Sequence, residues 1–324
     1  MKSNILKYGI ILAIAIIAPL VLTSDYHRYL LFLCCVFAIL ALSADIIFGG
    51  MGQNTFGHQA FFGIGAYASA KLALSLGMTP LLGFVAAFVV CSVVGAFIGY
   101  VCLRRLRGMY LAITTFGLGA ILFLIARNWY QFTGGLTGIA GLPVPRLFGF
   151  EFHSEFSQYY LALALLLLTI YLIRRLWRSR VGRAVISLRE DEPVAMSIGI
   201  SPTFYYTLMF ALGCGIAGVS GALYVHSLTV VNPMLFHFQY MLIILIAMFV
   251  GGMGTLAGPV LGAIVYVWVS EWLRFSEALR FMILGIILLI FIIFMPRGIY
   301  PSLVSLWGRL ANWIRRPRLR GELP

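Results

Sequence analysis

The sequence predicts an all-α, polytopic helical membrane protein of about ten transmembrane segments, built as two related halves with Gly-rich broken helices. Three observations predict it. Hydrophobic residues make up 62% of the 324 and charged residues only 10%, a balance that a water-soluble domain could not carry without large apolar patches. Apolar runs of about 20 residues, each able to cross a core of roughly 30 Å as a helix, recur nearly end to end. Finally, Gly49-Gly50-Met51-Gly52 opens a Gly-rich stretch running to Tyr67, and Gly251-Gly252-Met253-Gly254 opens another running to Tyr266.

Reading the runs between charges and Gly/Pro breaks places spans near 8–23, 29–48, 57–76, 80–103 and 109–126. Five more follow near 158–173, 203–226, 239–256, 258–273 and 277–295. The first run follows Lys2 and Lys7 as a signal peptide would, but no small-residue cleavage site comes after it, so it reads as a signal anchor. The expected domains are a transmembrane unit over 1–296, with loops near 127–157 and 174–202, and a tail over 297–324. In that tail Leu303, Leu306, Leu310, Trp313 and Ile314 recur at helical spacing beside Arg309, Arg315 and Arg316, which describes a basic amphipathic helix on membrane lipid.

The net charge of +13 does not form one patch, so no nucleic-acid partner is expected. Of 23 basic residues, 17 fall on one side: Lys2, Lys7, Arg104, Arg105 and Arg107, the arginines from Arg174 to Arg189, and those from Arg297 onward. Arg28, Lys71, Arg127, Arg146, Arg274 and Arg280 fall on the other. The positive-inside rule therefore puts both termini and the 174–202 loop in the cytoplasm, leaving the 127–157 loop outside. The five cysteines lie inside apolar runs without a Cys-x-x-Cys pair, so neither disulfides nor a metal site is expected.

Candidate functional residues gather at the breaks. Gly-interrupted segments at corresponding positions of two halves point to a transport pathway, because broken helices survive in lipid only where they are buried or line a cavity. Helix packing through small residues is the other reading of each stretch alone. Asp45 lies well inside a span, where a charge costs about 2.5 to 3.5 kcal/mol on insertion scales, so it must face protein or water. With Gly49, Gln53, Asn54 and His58, and with Gly251, Gly252 and Gly254 of the second break, it makes the candidate translocation pathway. A hydrogen bond to a neighbouring helix is the alternative for Asn54 and His58.

In the 174–202 loop, Asp191 can cap a short helix from Glu192 to Ile198, with Pro193 in its first turn and Gly199 at its end, before Ser201-Pro202 opens the next span. Such a helix presents Val194, Met196 and Ile198 beside Glu190, Asp191, Glu192, Arg183 and Arg189, a face that could dock into a groove of a partner; a solvated loop is the simpler reading. Gly218-Val219-Ser220-Gly221 has the Gly-x-Ser-Gly form of intramembrane serine proteases, but His226 sits six residues along the same helix, roughly on the opposite face. The chain has no P-loop, so no catalytic residue or cofactor is expected, and any ATP is hydrolysed by another chain.

The stretch from Gly52-Gln53 through Phe56-Gly57-His58-Gln59-Ala60-Phe61-Phe62-Gly63-Ile64-Gly65-Ala66-Tyr67 resembles the signature of the branched-chain amino-acid ABC permeases. Arg105 to Tyr110, the Thr133 to Pro143 loop, Ser179 to Ile200 and Gly251 to Ala263 agree with the family in order, so the resemblance covers nearly the whole chain. It implies a bacterial inner-membrane importer: two permease subunits, usually non-identical, two cytoplasmic ATPase subunits that bind the ATP, and a periplasmic solute-binding protein. It also implies a coupling segment at Glu192, Ala195 and Gly199. Related permeases carry urea and short amides, which leaves the solute open. The chain departs from the family in having Asp45 where Asn is expected and Pro193 where an aliphatic residue is usual. A carrier in which Asp45 and His58 relay protons is the rival from another class.

Overall fold

The computed structural model describes residues 13–22, 24–147, 150–274, 277–295, 298–303 and 305. The start of the first expected span and nearly all of the expected amphipathic tail lie outside them. Each of the ten predicted spans meets a helix. Helix α1 covers 13–21, α2 runs Asp25–Asp45, α3 His58–Leu76, α4 Pro80–Leu103 and α5 Gly108–Asn128. After a single turn, α6 (Tyr130–Thr133), come α7 (Glu155–Arg178), α8 (Arg180–Glu190), α9 (Glu192–Ser197) and α10 (Pro202–Leu228). Then follow α11 (Phe238–Gly251), α12 (Gly258–Trp272) and α13 (Glu277–Phe294), with a further helical turn over 299–303.

Burial sorts these helices by role. The span Asp25–Met51 is 89% buried and Pro202–Leu228 is 78% buried, whereas Pro80–Leu103 and Gly108–Asn128 are each only 28% buried. All four are apolar on every side, so α2 and α10 form the protein-facing core while α4 and α5 leave most of their surface for lipid or another chain. Helix α10 packs on α4, α3 and α2. Small residues set that distance: a Cβ at Gly65 would run into the Gly218 backbone, and one at Gly221 into the Phe62 carbonyl. Ser220 fills such a contact, its hydroxyl donating to the Val36 carbonyl at 2.7 Å, while His226 binds Ser69 Oγ and the Pro143 carbonyl, both at 2.8 Å. Both protease candidates are thus occupied as structural bonds.

The loop near 127–157 carries three two-residue strands, which form two antiparallel pairs with the help of a fourth just after α10. Strand β1 (Ile139–Ala140) pairs with β4 (Val230–Val231) in the register Ile139 to Val231, and β2 (Arg146–Leu147) pairs with β3 (Phe150–Glu151). Among the described residues, basic side chains from the two expected sets have different surroundings. Arg28 lies over the Phe156 ring, Lys71 over Phe132 and Arg274 over Tyr26, whereas Arg107 and Arg189 meet Glu192 and Gly49.

Two expectations need correction. The span expected over 239–256 stops at Gly251, because Gly252 and Gly254 take φ of 115° and 73°, outside the helical region. The expected 174–202 loop is mostly helix: α7 continues to Arg178, and α8 follows at once with Ser179 as its N-cap, accepting from the Gly182 N–H at 3.3 Å.

Because the Gly65–Gly218 contact leaves no room, Gly65→Val should lower stability by about 1–3 kcal/mol through overpacking, read as a lower thermal unfolding midpoint of the detergent-purified chain. Gly117→Ala, whose Cβ would meet no neighbouring atom, should not lower the midpoint.

Candidate translocation and coupling site

The first break forms where α2 runs into three glycines. From Ile46 to Met51 the backbone widens into a π-helix, a distortion that concentrates at functional positions, and Gly52 closes it at φ 67°. Residues 52–57 are non-helical, and α3 begins at His58. The second break spans 252–257 between α11 and α12. Thr255 organises it: its hydroxyl donates to the Gly252 carbonyl and accepts from the Gly258 N–H, both at 3.0 Å.

The two breaks touch. A Cβ at Gly49 would collide with the Gly254 backbone, and Asp45 Oδ1 accepts the Gly254 N–H at 2.8 Å. Asp45 is buried, so its carboxylate serves as backbone acceptor for the opposite half rather than as lining of an open cavity. An N–H left by a broken helix inside a membrane needs such a partner, and a carboxylate oxygen is a strong one. Gly251 sits at the α11 terminus, where a Cβ would strike the Gly258 carbonyl, and a Cβ at Gly298 would strike Gly252.

The remaining pathway candidates separate. Gln53 Oε1 accepts from the Gly108 N–H at 2.9 Å, tying the first break to the start of α5, and Asn54 is exposed. His58 is 1% exposed and points to the Phe61 and Phe210 rings, each 6.2 Å away between centroids, with the Ser43 carbonyl nearby but outside hydrogen-bonding geometry. No hydrogen bond or ion pair joins it to Asp45. Two further polar groups here were not foreseen: Thr55 Oγ1 and Gln59 Oε1 are buried and, like the His58 ring nitrogens, without a hydrogen-bond partner.

The hairpin α8–α9 lies against the first break. Arg189 donates from its guanidinium to the Gly49 carbonyl and lays its side chain along Gly52. Asp191 caps α9 by accepting the Val194 N–H at 3.0 Å, and Gly199 ends the turn at φ 85°. Helix α9 is one residue shorter than expected, with Ile198 as its C-cap. Glu192 pairs with Arg107 at 3.4 Å, Arg183 donates to the Arg178 carbonyl at 2.9 Å, and Ala195, 1% exposed, anchors α9 inward. Val194, Met196 and Ile198 are 60%, 55% and 71% exposed. Val194, Ala195 and Ile198, with Arg183, Ile186 and Glu190, line an open groove of about 420 Å³.

Membrane-length helices, two of them interrupted at mid-chain glycines that close on each other, are the architecture of a solute permease. The family model described as branched-chain amino acid transport system, permease component, matches residues 27–293, and the chain belongs to that family. It is 32% identical over 294 residues to the high-affinity branched-chain amino acid transport system permease protein LivM of Salmonella typhimurium, covering 82% of this chain and 68% of that one. LivM of Escherichia coli is also 32% identical, over 297 residues, 83% of this chain and 68% of that one. The permease protein LivH of Escherichia coli is 28% identical over 293 residues, 81% of this chain and 90% of that one. No solved structure matches the chain.

Asp45→Leu removes the acceptor of the Gly254 N–H, a part-buried bond, and should cost about 0.5–1.5 kcal/mol of stability, while Asp45→Asn keeps an acceptor oxygen and should cost less than half of that; thermal unfolding of the purified chain reads both.

Proposed function

We propose that the chain is one permease subunit of an ABC importer that moves branched-chain amino acids across the bacterial inner membrane. The observation that carries the mechanism is the closed contact between the two glycine breaks, with α8–α9 attached to one of them. Its partners are a second, LivH-like permease, two ATP-binding subunits on the side of α8–α9, and a solute-binding protein on the other side. Similarity to both LivM and LivH relatives supports a pair of unlike permeases, this chain taking the LivM-like place. The arginine-rich end, with both termini, faces the cytoplasm.

In this reading the subunit performs no chemistry. ATP binding and hydrolysis on the partners move the hairpin, whose apolar groove and exposed Val194, Met196 and Ile198 form the docking face. Arg189 passes the movement to Gly49, and the Asp45–Gly254 contact parts as the path changes from outward to inward opening. Glu190, Asp191 and Glu192 cap and pair the hairpin, Ala195 and Gly199 fix its shape, and Arg183 bonds it to α7. The unpartnered polar groups of Thr55, His58 and Gln59 would meet the charged head of a zwitterionic solute as it passes, and the apolar bundle its branched side chain.

Two measurements test the proposal. Vesicles holding the assembled transporter should take up labelled leucine only with ATP and binding protein, and excess urea should not compete; competition by urea would move the chain to the amide carriers, and uptake driven by a pH gradient without ATPases would make it a secondary carrier. Ile198→Asp should cut co-purification of the ATP-binding subunits about tenfold, since a charge replaces an apolar contact at the docking face.

A further inference from the structure

Helix α5 grips the whole segment between the first break and α3. At its start the Gly108 N–H, at φ 55°, donates to Gln53 Oε1 at 2.9 Å. Two turns on, Thr115 Oγ1 accepts the Phe56 N–H at 3.0 Å, and the Thr115 carbonyl lies so close to Gly57 that a Cβ there would meet it at 2.6 Å. Few residues of α5 are buried in this chain; besides that segment it packs on α3 and on the turn Pro233–Phe236, and its Phe116 ring meets Phe238. A rod with so much open surface and a firm hold on residues 53–57 can carry that segment with it when it tilts.

The turn before it is tied to the hairpin. Arg107 Nη2 donates to Glu192 Oε1 at 3.4 Å, the guanidinium lies 5.0 Å over the Tyr206 ring, and the same side chain donates to the Leu103 and Leu106 carbonyls. Arg107 precedes Gly108 directly, so a pull on its head group reaches the Gln53 bond through one residue. The planar guanidinium, with several donors and a stacking face, holds all these partners together, and its charge draws it to Glu192.

We infer that α5 is a lever and Arg107 its handle: Arg107 is a positioning residue that carries displacement of α9 into the 53–57 segment, by a route separate from the Arg189–Gly49 bond. This rests on the proposed docking of ATP-binding subunits at α8–α9. In the assembled transporter with its binding protein, leucine taken up per ATP hydrolysed should fall about tenfold in Arg107→Gln and in Glu192→Gln, and the double variant should fall no further, as expected for two ends of one link. An unchanged ratio, or losses that multiply in the double variant, overturns the inference. If Arg107→Gln does not assemble, Arg107→Lys decides: the charge toward Glu192 remains and most of the ratio should survive, whereas a ratio as low as that of Glu192→Gln overturns it. Ile198→Asp keeps the two ideas apart. If the ATP-binding subunits stay attached in that variant, the docking reading fails; if they leave while Arg107→Gln keeps its ratio, only the lever fails.

Discussion

The hydrogen bond from the Gly254 N–H to the buried Asp45 carboxylate is the constraint on which the rest of the structure depends. An interrupted helix frees backbone groups, and in a membrane protein each is best held by a partner in the protein. The second break meets part of this need internally, through Thr255, but Gly254 relies on a side chain from the opposite half, 209 residues away. That dependence puts α2 and α12 in contact, fixes where the first break lies, and makes the position of one break a condition for the other.

Close backbone approach makes such a contact possible. Gly49 and Gly254 meet without side chains between them, just as Gly65 meets Gly218 deeper in the bundle. Lipid tails give no hydrophobic drive for helices to associate, so small residues, dispersion and a few hydrogen bonds hold the core. The hairpin outside the core has different physics. It is amphipathic, keeps Val185, Leu188 and Ala195 inward and leaves an apolar outer groove. Through Arg189 and Arg107 it reaches the first break at two places, the contacts along which the proposed coupling would run.

Much of this was legible in the sequence because lipid imposes length and hydropathy. Spans such as 80–103 and 258–273 were read nearly to the residue, and the Asp191 cap and Gly199 stop followed from local turn chemistry. The α11 terminus was overrun because hydropathy continues through Gly251 to Gly254 while φ does not. Helix α8 was missed because its polar composition resembles a loop, although Gly182, Val185 and Leu188 mark one buried face. Asp45 was expected to face protein or water, and its partner could not be named, since nothing near it in sequence points to Gly254. The Gln53–Gly108 and Arg107–Glu192 links join residues 55 and 85 positions apart and leave no local trace at all. Asp45 and His58 looked like neighbours four helical turns or fewer apart, yet the π-widened break turns them to different surroundings.

The central claim is that the contact between the breaks opens and closes with the state of the ATP-binding partners. Amide hydrogen exchange at Gly254 in the assembled transporter tests it most directly, because that N–H is the one the Asp45 carboxylate holds. Slow exchange at rest that quickens when the partners are trapped with a non-hydrolysable ATP analogue is the predicted result. Equal protection in both states would contradict the account.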